Sequence, residues 1–298
     1  MSINIPSLYV SQFSSNVQLK LQQKGSRLRT GVMTGMHVGK QASPVDQFGA
    51  IVANKVLGRF NPMARVDAPV DRRWVFPVDY DLPQLLDSFD KLRLLIDPES
   101  SYVTNAVNAL GRAMDLEILS GIFDDNKTGE TGATTTALGS AQVVGVLQGA
   151  ASATNLTVAK LREARRLLMA ANLDMGSEKI YCALNATNHD SLLAEVQVVS
   201  SDFNGGQPVL QSGRLMQFLG IEFLHTELLS TGTDDQSGTS TAVPVWAQSG
   251  VHLGMWQDIN TSVSVRHDLQ GEPYQAYVKG TFGATRLEEK KVVKIWAR

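Results

Sequence analysis

The run from Ile96 to Ile122, IDPESSYVTNAVNALGRAMDLEILSGI, limits what this chain can fold into more than any other stretch of its 298 residues. Asp97 is placed to cap free backbone N–H groups, Pro98 suits a first helical position, and Glu99 complements the positive end of a helix. Val103, Ala106, Val107, Leu110, Ala113, Met114 and Ile118 recur at three- and four-residue spacing and so line one helical face. The glycine-rich DDNKTGETGATTT that follows cannot continue the helix. At a rise of ~1.5 Å per residue the helix spans roughly 35 to 40 Å. Its polar residues form no catalytic set. The spacing predicts a strut whose apolar face must be covered.

The rest of the chain has the means to cover it. With 43% hydrophobic and 19% charged residues it can build a proper core. No apolar run approaches the ~18 to 20 residues that cross a bilayer, and MSINIPSLYVSQFSSN lacks the basic and apolar regions of a signal peptide. The expectation is a protein made in a cytoplasm, with no membrane partner. One cysteine, Cys182, excludes an intrachain disulfide and a multi-cysteine zinc site. The net charge of −2 argues against a dedicated nucleic-acid reader, but its distribution is uneven. The first 45 residues carry five cations (Lys20, Lys24, Arg27, Arg29 and Lys40) and no acid, whereas the remainder carries 22 cations against 29 acids. This is either a solvated terminus or an arm that lies on an acidic neighbour.

Along the chain, NVQLKLQQKGSRLR reads as a short helix interrupted at Gly25. Prolines 44, 62, 69, 77 and 83 then break helices, and two extended ribbons are expected over about 48–60 and 64–80, joined around Asn61 and Pro62. Such a hairpin has few apolar anchors and is expected to project from the body. Lys55, Arg59, Arg65, Arg72 and Arg73 suit polar contacts across it, with Trp74 as an anchor. A second helix over TVAKLREARRLLMAANLD ends near Asn172, with Val158, Leu161, Ala164, Leu168 and Met169 on one face. EKIYCALN reads as a buried strand, and ATNHDSLLAEVQ as a short helix capped by Thr187 or Asn188. SSDFNGGQPVLQSG and STGTDDQSGTSTA read as surface loops, and RLMQFLGIEFLHTEL as a strand bent at Gly220. The closing segments alternate as strands do, giving an α+β order without internal repeats.

Chemistry-bearing patterns are incomplete. Asp124 to Gly129 copies the first half of a calcium loop, but position twelve is Thr135 where a bidentate Glu belongs; a hydrophilic turn explains the same residues. Cys182 and His189, with Asn185 and Asp190 nearby, invite a thiol-hydrolase reading, yet within IYCAL the cysteine is more simply a small buried hydrophobe. The other histidines lack metal-site spacing, no phosphate-binding glycine motif occurs, and the pairs Asp234-Asp235 and Glu288-Glu289 read as solvated. No catalytic residue, cofactor or metal ligand is predicted.

Four blocks carry a resemblance: IDPESSYVTNAVNALGRAMDLEILSGIFDD; LREARRLLMAANLD with YCALNATNHDSLLAEVQVVSSDFN; SGRLMQFLGIEFLHTELL; and FGATRLEEKKVVKIWA. In that order they resemble the major capsid proteins of tailed bacteriophages, with the Hong Kong 97-like shell fold. The resemblance implies an N-terminal arm over 1–35, an extended-loop hairpin and its base over 36–90, and a peripheral domain with a spine helix over 91–150. It implies an axial domain over 151–255 and a return to the peripheral domain over 256–298. It further implies self-association through pentamers and hexamers into a closed shell around phage double-stranded DNA, bound without sequence specificity. A separate scaffolding protein, a portal protein and room for a decoration protein follow from it. Contacts between copies would then involve Lys20, Lys24, Arg27, Arg29, Lys55, Arg72, Arg73 and Trp74. Some members of this family join a loop lysine to a neighbour's asparagine; the surroundings of Lys55 do not match that reaction, and no cross-link is expected. An encapsulin-like compartment shell is the nearest alternative, and a cysteine hydrolase a distant one.

Overall fold

The computed structural model describes residues 21–40, 46–55, 58, 65–86, 99–199, 213 and 215–298. In chain order these form β1 (Met33–Met36), β2 (Asp46–Phe48), β3 (Val70–Trp74), β4 (Val78–Leu86), α1 (Glu99–Phe123), β5 (Asn126–Thr128), β6 (Thr134–Thr136) and β7 (Val143–Val144). Then come α2 (Val158–Ala170), β8 (Ile180–Leu184), α3 (Ala186–Leu193), α4 (Val196–Val199), β9 (Gln217–Phe218), β10 (Ile221–His225) and β11 (Thr231–Thr233). The chain closes with β12 (Thr239–Ala247), β13 (Val251–Val265), β14 (Tyr274–Arg286) and β15 (Val292–Ala297).

The strut is present as α1, whose 25 residues span about 37 Å at ~1.5 Å each. Asp97 and Pro98 lie outside the described residues. Of the predicted stripe, Ala106, Leu110, Met114 and Ile118 are buried and Val103, Val107 and Ala113 half-buried; with Ile122 the buried ones pack on Val278, Phe282, Leu253 and Met255 of the long β13–β14 hairpin. That hairpin forms the centre of a four-stranded sheet in the order β1-β13-β14-β4, with a register irregularity between Met255 and Asn260. Gly121 permits the closest approach, since a Cβ there would stand 2.8 Å from the Ala284 carbonyl carbon. At the far end of the helix the buried Arg286 donates to Ile122 O at 2.6 Å, Asp124 O at 3.3 Å and Thr136 O at 3.1 Å. A cation thus satisfies carbonyls that a helix C-terminus leaves open.

A second sheet runs β7-β15-β12-β8-β10-β9, with β11 paired to β12. β8 is covered on both faces, which is why IYCAL reads as an unbroken apolar run. On one face Cys182, Val245 and Ile295 meet Val158, Leu161, Ala164 and Leu168 of α2. On the other, Tyr181 and Trp246 meet Met114, Ile118, Leu28 and Val32. The sheet is therefore the middle layer between α2 and the unit of α1 with its hairpin. Of the last strands, β13 and β14 pack on α1, whereas β15 pairs with β12 and β7 in this second sheet.

Local expectations are corrected at several points. Met169 is 54% exposed and lies off the buried face of α2, while Lys160 is buried on it. The cap of α3 is Asn185, whose side chain accepts from the Asn188 N–H at 2.9 Å; Asn188 itself is buried and accepts from the Leu156 N–H. Around Gly220 the chain makes a hairpin in place of a bent strand, because Leu219 (φ 54°) and Gly220 (φ 75°) form a two-residue turn between β9 and β10. STGTDDQSGTSTA is the β11–β12 hairpin, and of its two acids Asp235 is exposed as expected whereas Asp234 is not. Asp234 is buried and accepts from Ser240 Oγ at 2.6 Å, Gly238 N at 2.8 Å and Gln236 N at 2.9 Å, which together hold its carboxyl below the usual range. Asp235 accepts from Val146 N at 2.9 Å. Where a short helix is expected over 16–29, the described residues 21–28 are irregular. The loop expected over SSDFNGGQPVLQSG falls almost wholly outside the described residues.

Candidate self-association surfaces

Two segments were expected to meet other copies, and the structure roots both in the subunit itself. The root of the arm lies along α1. Asp115 is buried and accepts from Arg27 N at 3.0 Å and Leu28 N at 3.1 Å, as well as from Ser26 Oγ and Gln23 Nε2. Asn108 accepts from Gly25 N at 3.0 Å. The backbone can come this close because Gly111 presents no side chain: a Cβ there would stand 2.4 Å from the Gly25 carbonyl carbon. Two of the predicted contact residues act within this root. Arg27 donates to His225 O at 3.0 Å, and Arg29 makes a two-pronged pair with Asp258 at 2.9 and 3.2 Å. Lys24 is exposed, and Lys20 lies outside the described residues.

The extended loop leaves the body where β2 and β3 pair antiparallel, Asp46 opposite Arg72 and Phe48 opposite Val70. Arg72 bonds Asp46 at 2.6 Å and lies 5.7 Å over the Trp74 ring. Trp74 donates from its indole N–H to Gly129 O at 2.7 Å and rests on Gly132, so it anchors the loop base to the β5–β6 hairpin. Arg73 is 5% exposed and pairs with Glu289 at 2.9 Å and Asp71 at 3.4 Å. Glu289 is thus a pairing partner, where the sequence suggested a solvated acid. Lys55 is exposed. Sequence reasoning passed over the apolar side chains of this segment. Phe48 is 74% exposed and Val52 81%, and Ile51, Val66 and Val70 are exposed beside them. The signal was present, since Val, Ile and Phe mix here with polar residues, but only a structure shows that they stand exposed among the described residues.

Exposed apolar side chains thus flank the pairing of β2 with β3. The family model for phage capsid protein matches residues 5–297. The chain belongs to that family. Its α+β fold is shared with solved phage shells. The capsid of cyanophage P-SCSP1u superposes with a TM-score of 0.74 at 16% identity, covering 98% of this chain and 94% of that one. The capsid of cyanophage Pam1 gives 0.73 at 12% identity, covering 96% and 95%. The capsid of the native GTA particle gives 0.70 at 13% identity, covering 99% and 97%. No curated protein matches the chain. The expected Hong Kong 97-like architecture and the viral capsid role both stand, and the role is structural; the encapsulin-like alternative is not favoured.

The remaining sequence motifs of this capsid protein fall into its framework. Cys182 sits at the centre of β8, fully buried, and burial pushes its thiol far above the range in which a thiolate forms. His189 instead accepts from the Leu215 N–H at 3.2 Å. The half calcium motif is strand β5 and its turn, with Asn126 donating to Gly121 O and accepting from Thr285. No helix among the described residues is long and apolar enough to cross a membrane.

Proposed function

We propose that this capsid protein is the major subunit of an icosahedral head that assembles through pentamers and hexamers around double-stranded DNA in the host cytoplasm. The observation that carries this reading is the loop base, where Phe48, Ile51, Val52, Val66 and Val70 stand exposed on a scaffold pinned by Arg72, Arg73 and Trp74. Exposed apolar groups of this extent mark an interaction site. Their rigid roots present them in one geometry to every neighbour, as repeated contacts in a closed shell require. Each contact is modest, and the shell gains its persistence because every subunit is held by several neighbours. A separate scaffolding protein and a portal belong to this reading, with a decoration protein optional; so does the absence of a covalent cross-link through Lys55. DNA is enclosed without sequence reading, in keeping with a net charge of −2.

Electron microscopy of the purified chain over a concentration series tests the reading. Rings of five and six, or polyhedral particles, are the expected result. A solitary monomer at all concentrations would overturn it, and heat-resistant multimers on a denaturing gel would contradict the absence of cross-linking. Particles that enclose an enzyme in place of DNA would restore the encapsulin-like alternative.

A further inference from the structure

Where β1 lies against β13, His37 and His252 meet with their Nε2 atoms 2.9 Å apart and ring centroids 5.1 Å apart. Two glycines make room for the pair. A Cβ on Gly35 would stand 2.8 Å from His252 Cε1, and one on Gly254 would stand 2.9 Å from His37 Cδ2. His252 is 5% exposed, and its Nδ1 has no hydrogen-bond partner among the described residues. The groups around the pair are uncharged: Val75 beside Gly254, Trp256 against His37, and Thr285 opposite His252 on β14. The same strip of chain is held by the His37 N–H on Met255 O at 2.8 Å and by the Trp256 indole on Gly39 O at 2.7 Å.

The arrangement has room for only two protons on its four ring nitrogens. A buried nitrogen without a partner costs less as a lone pair than as an N–H. His252 is therefore assigned its proton on Nε2, which it donates to Nε2 of His37, whose own proton is on Nδ1. A third proton has no satisfactory site. If the bridge between the rings is kept, one of its two nitrogens must stay an acceptor, so the added proton ends on His252 Nδ1 as a buried donor with nothing to accept it. A fourth proton sets two donors face to face.

We propose that the His37–His252 pair is a proton-operated latch, which holds β1 and residues 37–39 on β13 and releases them on acidification. Burial holds both imidazoles below their ordinary range, His252 down to about 4. The detached segment takes up protons near the ordinary imidazole value of 6.5, so the attached state has its full stability above that pH and loses it as pH falls toward about 4. β1 joins the arm root to the extended loop, so its release would free both from a common support; that consequence rests on the shell reading, whereas the latch does not.

Hydrogen exchange of the unassembled full-length chain, corrected for intrinsic rates, tests it between about pH 7.5 and about pH 4.5. Protection of residues 33–39 is expected to fall at least tenfold, while the β13–β14 pairing around Leu253 and Phe282 keeps its protection. His37→Phe combined with His252→Phe, which leaves neither ring to titrate, is expected to keep β1 protected at the lower pH. Unchanged protection in the native chain, or a loss spread evenly over both strands, overturns the proposal; so does a loss in the double variant equal to the native one. Should that variant not fold, the carbon-labelled imidazoles of the native chain serve, and a His252 midpoint near 6.5 overturns the latch.

Discussion

Asp115 organises the root of the arm from a single position on α1. It receives two backbone N–H groups and two side-chain donors, all from residues 23–28. Hydrogen bonds to a buried charged group are each worth about 1.5–3 kcal/mol, and their loss strands the donors. Asp115→Ala is therefore expected to destabilise the unassembled subunit by about 3 kcal/mol or more, read from the midpoint of denaturant unfolding. Lys160 is a second buried charge, donating to Thr154 O at 2.6 Å, Trp296 O at 2.8 Å and Asn155 O at 3.1 Å. Burial brings its ammonium down from 10.5 to about 8. Between those two values the unfolded chain binds the proton and the folded one does not, so folding stability gains with rising pH across that window. Lys160→Met is expected to lose this slope in unfolding curves taken at successive pH values. Neither residue was legible in the sequence. Asp115 and Lys160 occupy helical positions where polar side chains commonly face water, and the partners of Asp115 lie about ninety residues away, while those of Lys160 are carbonyls of the preceding loop and of Trp296 on β15.

Among elements, α1 was the most legible, because its stripe obeys a local rule. What the rule leaves silent is what its glycines do. Gly111 and Gly121 read as tolerated weaknesses in a helix, whereas each marks a place where another backbone comes within van der Waals reach. Gly111→Ala separates the two meanings. On an exposed helix the change stabilises by about 1 kcal/mol. Here it is expected to lift residues 21–28 off α1, read as rapid tryptic cleavage at Lys24 or Arg27 while the helix content stays constant. The cap of α3 illustrates the limit of local reading: Asn185, Thr187 and Asn188 all have capping side chains, and only the path of the chain out of β8 decides for Asn185. The turn at Leu219 and Gly220 was read as a bend because strand pairing two residues apart leaves little in the pattern to distinguish the two.

At the scale of the molecule, the two ribbons expected over about 48–60 and 64–80 appear among the described residues only as the short β2–β3 pairing, while a strut with a strand-rich remainder could be read from periodicity. The order of the second sheet could not, since β8, β12 and β15 are brought together from distant parts of the chain. Nor could the intramolecular use of Arg27, Arg29, Arg73 and Trp74, whose composition fits an interface equally well. The apolar residues beside them give the sharper test. Phe48→Ser with Val52→Ser is expected to leave subunit stability within about 0.5 kcal/mol, as for surface positions, while particle formation is lost or moves to much higher concentration in light scattering.

β15 occupies an inner place in its sheet, between β7 and β12. Those neighbours emerge from the ribosome earlier, and each must wait with an unpaired edge until residues 292–297 have been synthesised. A nascent chain therefore lacks a finished second sheet however far its strut has formed. Translation itself becomes the gatekeeper: polypeptides still tethered to a polysome, crowded beside others of the same sequence, are not yet competent to join a growing lattice.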